Sequence, residues 1–442
     1  MAKSLHTDNA PSISTVKPHF LFAALGLFAL SVLMLFGNKF FLQDYYNNHM
    51  LAVTHTAVLG WLMMLIFGSL YQLIPVIFDG ALYSEKLAKF TFWITAFSII
   101  FLVYTFWIGD YTVLLPYAAT SMYLSLFFFV FNIMMSYKQA RIKNIKSYFI
   151  LAAVFWLLMA ETEGLLTALN FKYNFYSASH LQHLHTHAIM GLVGFFLMMI
   201  FGAGITLIPM FLISHRLNES YLHKTFYLLN GGIAGLVLTK YLYPNALIEG
   251  VFWLVILVGI IYYFFYVNDS YKKRMKKTLD VGMKYTMLAL VFLIAPIILS
   301  LLLIVLQNSP ATEWLQRITM LYGLSMIFGF FTTIALGQTY KTLPFIIWLE
   351  KYQKLVGKYH TPLPRELYDE KVADIQYYIY LSFLAITVFA ILLQVEILIQ
   401  IATVLFLIVT ILYNYNVWKM FFHDSEKYIN QRDNEILNKT NE

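Results

Sequence analysis

Four of the chain's twelve histidines fall within eight residues: His180, His183, His185 and His187, in HLQHLHTHAIMGLVGFFLMMIFGAGITLIP. On a helix each residue turns the side chain by about 100°, so His180, His183 and His187 share one face and His185 points the other way. Imidazoles at the mouth of an apolar helix are costly to desolvate and need a partner or a metal. His55, in THTAVLGW, is a further imidazole at the same depth of another apolar run. Two neutral imidazoles on facing helices suit a haem b held between two histidines, and His55 with His187 or His185 is the pair that could face across a pore. Glu161 and Glu163, in LMAETEGLLTALNF, reach a similar depth. Intramembrane carboxylates need a proton, a cation or a polar partner. With His180, His183 or His187 they could complete a site for non-haem iron, copper or zinc. The bland alternative is a protonated Glu bonded to a His or a Tyr.

These residues sit in a chain of 442 residues that is 60% hydrophobic and 12% charged, a composition that implies a polytopic helical membrane protein. There is no cysteine, so disulfides, thiolate metal sites and cysteine catalysis are excluded. The net charge of +7 follows membrane topology and does not imply nucleic acid. No nucleotide loop, nucleophile triad or metalloprotease motif is present. The expected partners are the lipid bilayer and an unidentified electron donor or metal or haem partner, with an oligomer left open.

Apolar runs predict twelve spans, near 20–37, 50–78, 88–108, 113–136, 147–170, 182–213, 222–242, 246–267, 283–307, 313–349, 371–393 and 396–422. They form one membrane domain over 20–423, flanked by polar tails at 1–19 and 424–442. Lys and Arg gather in the tails and the even-numbered loops, most densely at Lys272, Lys273, Arg274, Lys276 and Lys277. The opposite side carries only Lys39, Lys172, Lys240 and Arg317. The positive-inside rule then puts both termini in the cytoplasm of a bacterial cell and the histidine cluster on the outer side. Lys240 and Glu249 are expected to pair there. Asp44, Tyr45 and Tyr46 are expected to form a lid, with His49 solvated or part of it. His6, His19, His215, His223, His360 and His423 are scattered towards the cytoplasmic side without an evident role.

A repeat organises the spans. GWLMMLIFGSLYQLIP holds Gly60, Gly68 and Pro75; GFFLMMIFGAGITLIP holds Gly194, Gly202 and Pro209; GFFTTIALGQTYKTLP holds Gly329, Gly337 and Pro344. The copies are 134 and 135 residues apart, each in the second of four spans. This divides the domain into repeats near 20–136, 147–268 and 283–423. Glycines on a membrane helix admit another helix or a flat cofactor, and Gly60 and Gly194 are candidates for the latter role.

Twelve spans in three groups of four, both ends cytoplasmic, with His at the outer ends of repeat-equivalent helices, resemble the catalytic subunit of haem–copper oxidases and nitric oxide reductases. The resemblance covers the whole chain in architecture and is narrower in motifs. It implies a haem ligand near His55 and a metal ligand among His183, His185 and His187. The family's histidine pair near the seventh span has only His223 here, and its tenth-span His-x-His is missing. Tyr322 stands at the repeat position of His187, and Gln338 lies further in. The resemblance therefore implies a divergent relative without the usual binuclear centre, acting in electron transfer or in reacting with or sensing nitric oxide or oxygen. A carrier or chaperone for copper or haem, a degenerate scaffold, and a transporter are the competing readings.

Overall fold

The computed structural model describes residues 9–43, 46–176, 180–306, 312–357, 359 and 361–424. His6, Asp44, Tyr45, His360 and most of the C-terminal tail, 425–442, lie outside the described residues. The described chain is all-α. Eleven helices are long and apolar enough to cross a membrane. In chain order we label them α1 (Ile13–Phe36), α2 (Asn48–Phe78), α3 (Glu85–Ile108), α4 (Leu114–Lys138), α5 (Ile145–Tyr173) and α6 (His180–Leu212), then α8 (Ala246–Lys272), α9 (Val281–Leu306), α10 (Glu313–Lys351), α11 (Glu370–Leu393) and α12 (Glu396–Phe421). Between α6 and α8 runs α7 (Ser220–Leu242), as long but more polar.

Why each helix starts where it does is local chemistry. Asn47, Ser84, Asn144, Asn245, Asp280, Thr312 and Asp369 each accept a backbone N–H of the first turn. Asp280 does more than cap α9. Lys276 and Lys341 donate to its carboxylate at 2.6 and 2.8 Å, tying a loop and α10 to one residue. Burial pushes this carboxyl up, but the Lys341 charge, the two lysine hydrogen bonds and the Met283 N–H outweigh it and hold it at about 2. The stabilisation is thus complete above the unfolded carboxyl range near ~4 and is lost as pH falls through about 2. Asp280→Ala should cost about 1–3 kcal/mol at neutral pH, read as a lower melting temperature in detergent that converges on wild type at strongly acid pH.

Helices α2, α6 and α10 form the centre, with 78, 72 and 67% of their apolar windows buried against at most 50% for any other span. Each is the helix that carries a copy of the glycine repeat. Each also changes to π-helical hydrogen bonding around its first repeat glycine, over Thr56–Met63, Ile189–Leu197 and Ser325–Thr332. Such widened turns are rare and recur at functional sites. Their presence at one register in all three copies shows that the sequence repeat is a structural one.

The glycines prove to be a seam for the preceding helix. A Cβ on Gly68 would lie 2.9 Å from His19 of α1, one on Gly202 2.9 Å from Phe149 of α5, and one on Gly337 2.6 Å from Tyr285 of α9. Gly60 abuts Gly26, whose Cβ would lie 2.3 Å from the Gly60 carbonyl, and Gly194 abuts Trp156 at 2.7 Å. Hence Gly60 and Gly194 are occupied by helix packing and are not free for a flat cofactor.

Where α2 meets α10, α11 and α12, the space is filled by aromatic rings. Trp61 packs on Tyr413 (5.1 Å), and Phe328, Phe383 and Phe406 form a triangle with centroids 4.7–5.6 Å apart. All five are buried. This side of α10, which carries no histidine, meets a packed aromatic interior.

Candidate functional site

The face of α6 that holds three of its histidines lies on α5, and the two helices run antiparallel. His180 Nε2 accepts from Asn170 Nδ2 at 3.1 Å. One turn on, His183 Nδ1 and Glu163 Oε1 share a hydrogen bond of 2.6 Å, both side chains buried. Another turn on, His187 Nδ1–H donates to the Ala160 carbonyl at 2.7 Å. His187 fits against α5 because residue 164 is glycine: a Cβ there would lie 2.9 Å from His187 Cε1 and 3.0 Å from Nδ1.

His55 stands across from it, on the last turn of α2 before the π-helical stretch. Its Nδ1–H donates to the Leu51 carbonyl at 2.7 Å, and its ring packs on Phe106. The His55 and His187 rings are 6.4 Å apart between centroids, with planes 21° from parallel. Each has Nδ1 fixed on a carbonyl and, among the described residues, no hydrogen bond at Nε2. That is the tautomer a ligating histidine needs, because an anchored Nδ1–H leaves the Nε2 lone pair free. Two imidazoles bonded through Nε2 to opposite sides of one metal, at about 2.0–2.1 Å per bond, have ring centres roughly 6–6.5 Å apart. The observed spacing fits.

Both rings open on a cavity of about 500 Å³, within the range of small-molecule and cofactor sites. Its wall is mainly apolar, with Leu59, Met63, Leu102, Met122, Leu157 and Phe195 among the lining residues. Small residues also border it. Cβ atoms added to Gly191 or Gly323 would meet nothing within 4 Å. These, not Gly60 and Gly194, are the glycines that leave room.

The polar lining is sparse. Glu161 faces the cavity without a hydrogen-bond partner among the described residues, as do His185 and, from α10, Tyr322. Lys240 and Glu249 also line it and form the expected ion pair at 3.0 Å. His185, on the opposite face of α6 from His187, belongs to their side of the cavity.

The structure therefore joins His55 to His187 and divides the other candidates. His183 is taken up by Glu163 and stacked on Tyr176 (4.0 Å); His180 is stacked on Phe171 (4.3 Å); Glu161 is in the cavity. Among the described residues no three His, Asp or Glu side chains converge as a metal would require. His49 stacks on Phe40 at 3.8 Å, and Tyr46 lines the cavity. His19, read in sequence only as lying towards the cytoplasmic side, is fully buried against α2 and α3. Gly164 and the Ala160 carbonyl escaped notice in the sequence, although the glycine one turn from Ala160 in the same helix was the available sign.

Comparison with known families finds no matching family model, and comparison with characterised proteins finds no matching relative.

Proposed function

We propose that this is a haem-binding membrane protein, a divergent relative of the haem–copper oxidase catalytic subunit with twelve spans and both termini cytoplasmic. His55 and His187 hold a haem b in the α2–α6 cavity. The observation that carries the reading is the pair itself: two half-buried imidazoles, each tautomerically fixed, with ring centroids 6.4 Å apart beside a large apolar cavity. A lone metal ion would need the pair but not the cavity. The orientation rests on the basic loops, which put the histidine end of the bundle outside. The more polar α7 is taken as a span because it packs along α8 throughout its length.

A haem supplies one-electron chemistry. If both His55 and His187 held the haem, the group would supply electron transfer in preference to binding nitric oxide or oxygen. This chain's own residues set the conditions. The Leu51 and Ala160 carbonyls orient the rings, Gly164 seats His187, and the apolar wall keeps water from the iron. Glu161 is the group beside the site that can hold or yield a proton. An absorbance spectrum after haem-replete expression tests the reading: a low-spin Soret band is expected, and its absence refutes it.

The second reading, metal handling at the outer face, has one observation in its favour. His183 keeps a buried Nε2 with no partner while Glu163 holds its Nδ1. On the haem reading this pair is structural, so His183→Ala and Glu163→Gln leave the metal content of the purified protein unchanged. Loss of iron, copper or zinc from both variants with haem retained would establish a second centre.

A further inference from the structure

One wall of the histidine cavity is a single helix thick. Ser300, Leu303 and Ile304 line the cavity from the second half of α9. Their spacing of three and one residues puts them on one face of that helix. Ile298, Leu302 and Val305 form the opposite face and are 59, 39 and 77% exposed. That face is the one a bilayer would cover, so α9 alone stands between the cavity and the lipid.

This half of α9 is weakly anchored. The apolar window of α9 is 28% buried, the lowest of the eleven spans, against 44% for both α1 and α5 at its place in the other two repeats. From Ile294 to Leu306 the buried residues are Pro296 and Ser300, whereas the corresponding half of α1 buries Gly26, Leu27, Leu30, Ser31 and Met34. The contact with α8 is loose as well. A Cβ on Gly250 would come no nearer than 3.8 Å to Ile304, while on the α7–α8 seam Cβ atoms on Gly232 and Gly235 would lie 2.5 and 2.1 Å from Ile256 and Phe252. A break in the helix sits at the start of the loose half. α9 is interrupted at Leu293, between Val281–Phe292 and Ile294–Leu306, and Pro296 has no N–H to give the Phe292 carbonyl. Before the break the helix is held firmly. Gly282 and Gly337 interlock, an added Cβ on each lying 2.8 and 2.6 Å from the other's carbonyl oxygen, and Asp280 takes two lysines. Lipid tails are as apolar as the leucines they would replace, so no hydrophobic penalty opposes an outward swing of the loose half.

We propose that the second half of α9 is a lateral gate, which swings off α8 about Leu293–Pro296 and admits haem to the cavity from the membrane. The cavity lining where Lys240 and Glu249 pair at 3.0 Å suits an apolar macrocycle less than the aliphatic wall of α9 does. Gly191 and Gly323, bare towards open space, leave room within. The identity of the ligand rests on the haem reading; the movement of the gate does not.

The chain has no cysteine, so Gly250→Cys/Ile304→Cys can be bridged across the α8–α9 gap without competing thiols. The full haem-free chain in nanodiscs is mixed with liposomes that carry haem, and uptake is followed at the Soret band. The bridged protein is expected to load at least about tenfold more slowly than the same protein after reduction by a phosphine. Equal rates overturn the gate and mean that haem enters from the aqueous face. Pro296→Ala, which returns the missing hydrogen bond, is expected to slow uptake at least about threefold without a bridge; a wild-type rate there overturns the hinge. The gate is also read with no haem present. Spin labels at Val305→Cys and Tyr173→Cys, both exposed, are expected to report two distances in the haem-free chain. A single narrow distance overturns the gate, whatever the haem content. Two distances with no haem uptake in any variant uphold the gate and refute the haem reading.

Discussion

His187→Ala should lose the low-spin Soret band, with bound haem in the purified protein falling to about a tenth of wild type or less. His187 is one of two groups whose Nε2 is free at the cavity with Nδ1 already committed. Without it only His55 remains, and the space vacated beside Gly164 supplies no other donor. His55→Ala should act alike, since both histidines would hold the same group and each has its Nδ1 already fixed on a carbonyl. His185→Ala is the control: it lies on the far side of α6 and should leave the spectrum nearly unchanged. The opposite pattern, with His185 essential and His187 dispensable, would mean that the other side of α6 holds the cofactor.

A second large effect is expected from a residue that could touch no iron. In Gly164→Val the ligand remains but its seat is gone. The three atoms nearest a new Cβ all belong to His187, at 2.9, 3.0 and 3.8 Å, so the strain falls on that ring and not on the helix packing. The ring must swing off α5, breaking the bond from Nδ1 to the Ala160 carbonyl and the alignment with His55. Haem content should approach that of His187→Ala, while the helical circular-dichroism spectrum is kept. Gly164→Ala should show the same change in weaker form. Wild-type haem content in Gly164→Val would place the ligating ring elsewhere and remove the basis for the pair.

Much of this arrangement is legible in the letters. The glycine–proline framework marks the three inner helices, and an even repeat of that length demands three like units. Helical spacing correctly groups His180, His183 and His187 and sets His185 apart, because the start of α6 is regular α-helix. What spacing cannot reveal is the neighbour that a face meets. All three grouped histidines face α5, yet Asn170, Glu163 and the Ala160 carbonyl take them to three different ends. Two are absorbed as polar contacts and one is left able to ligate. The π-helical stretches are equally hidden, since they shift the phase of every residue beyond them and no residue type announces them. Glycine misleads for a related reason. Gly60 and Gly194 are prominent in the repeat and spend their smallness on α1 and α5, whereas Gly191 and Gly323 fall outside the motif and border open space. His19, one of several scattered histidines in sequence, becomes notable only when α1 is packed on Gly68.

The same comparison of faces bears on α10, which carries no histidine. Rings of Trp61, Phe328, Phe383, Phe406 and Tyr413 fill the interior beside the middle of α10, whereas Tyr322 and Gly323 nearer its start border the cavity. The cavity is shared by α2, α6 and the first half of α10, and its imidazole pair comes from α2 and α6.

The central claim is that His55 and His187 would together hold one haem. The most direct test is the low-temperature electron paramagnetic resonance spectrum of the oxidised, haem-replete protein, read with its haem-to-protein ratio. The account predicts a low-spin signal of bis-histidine type at one haem per chain, lost in both His55→Ala and His187→Ala. A protein that binds no haem under replete expression, or whose haem stays low-spin when either histidine is removed, would contradict it.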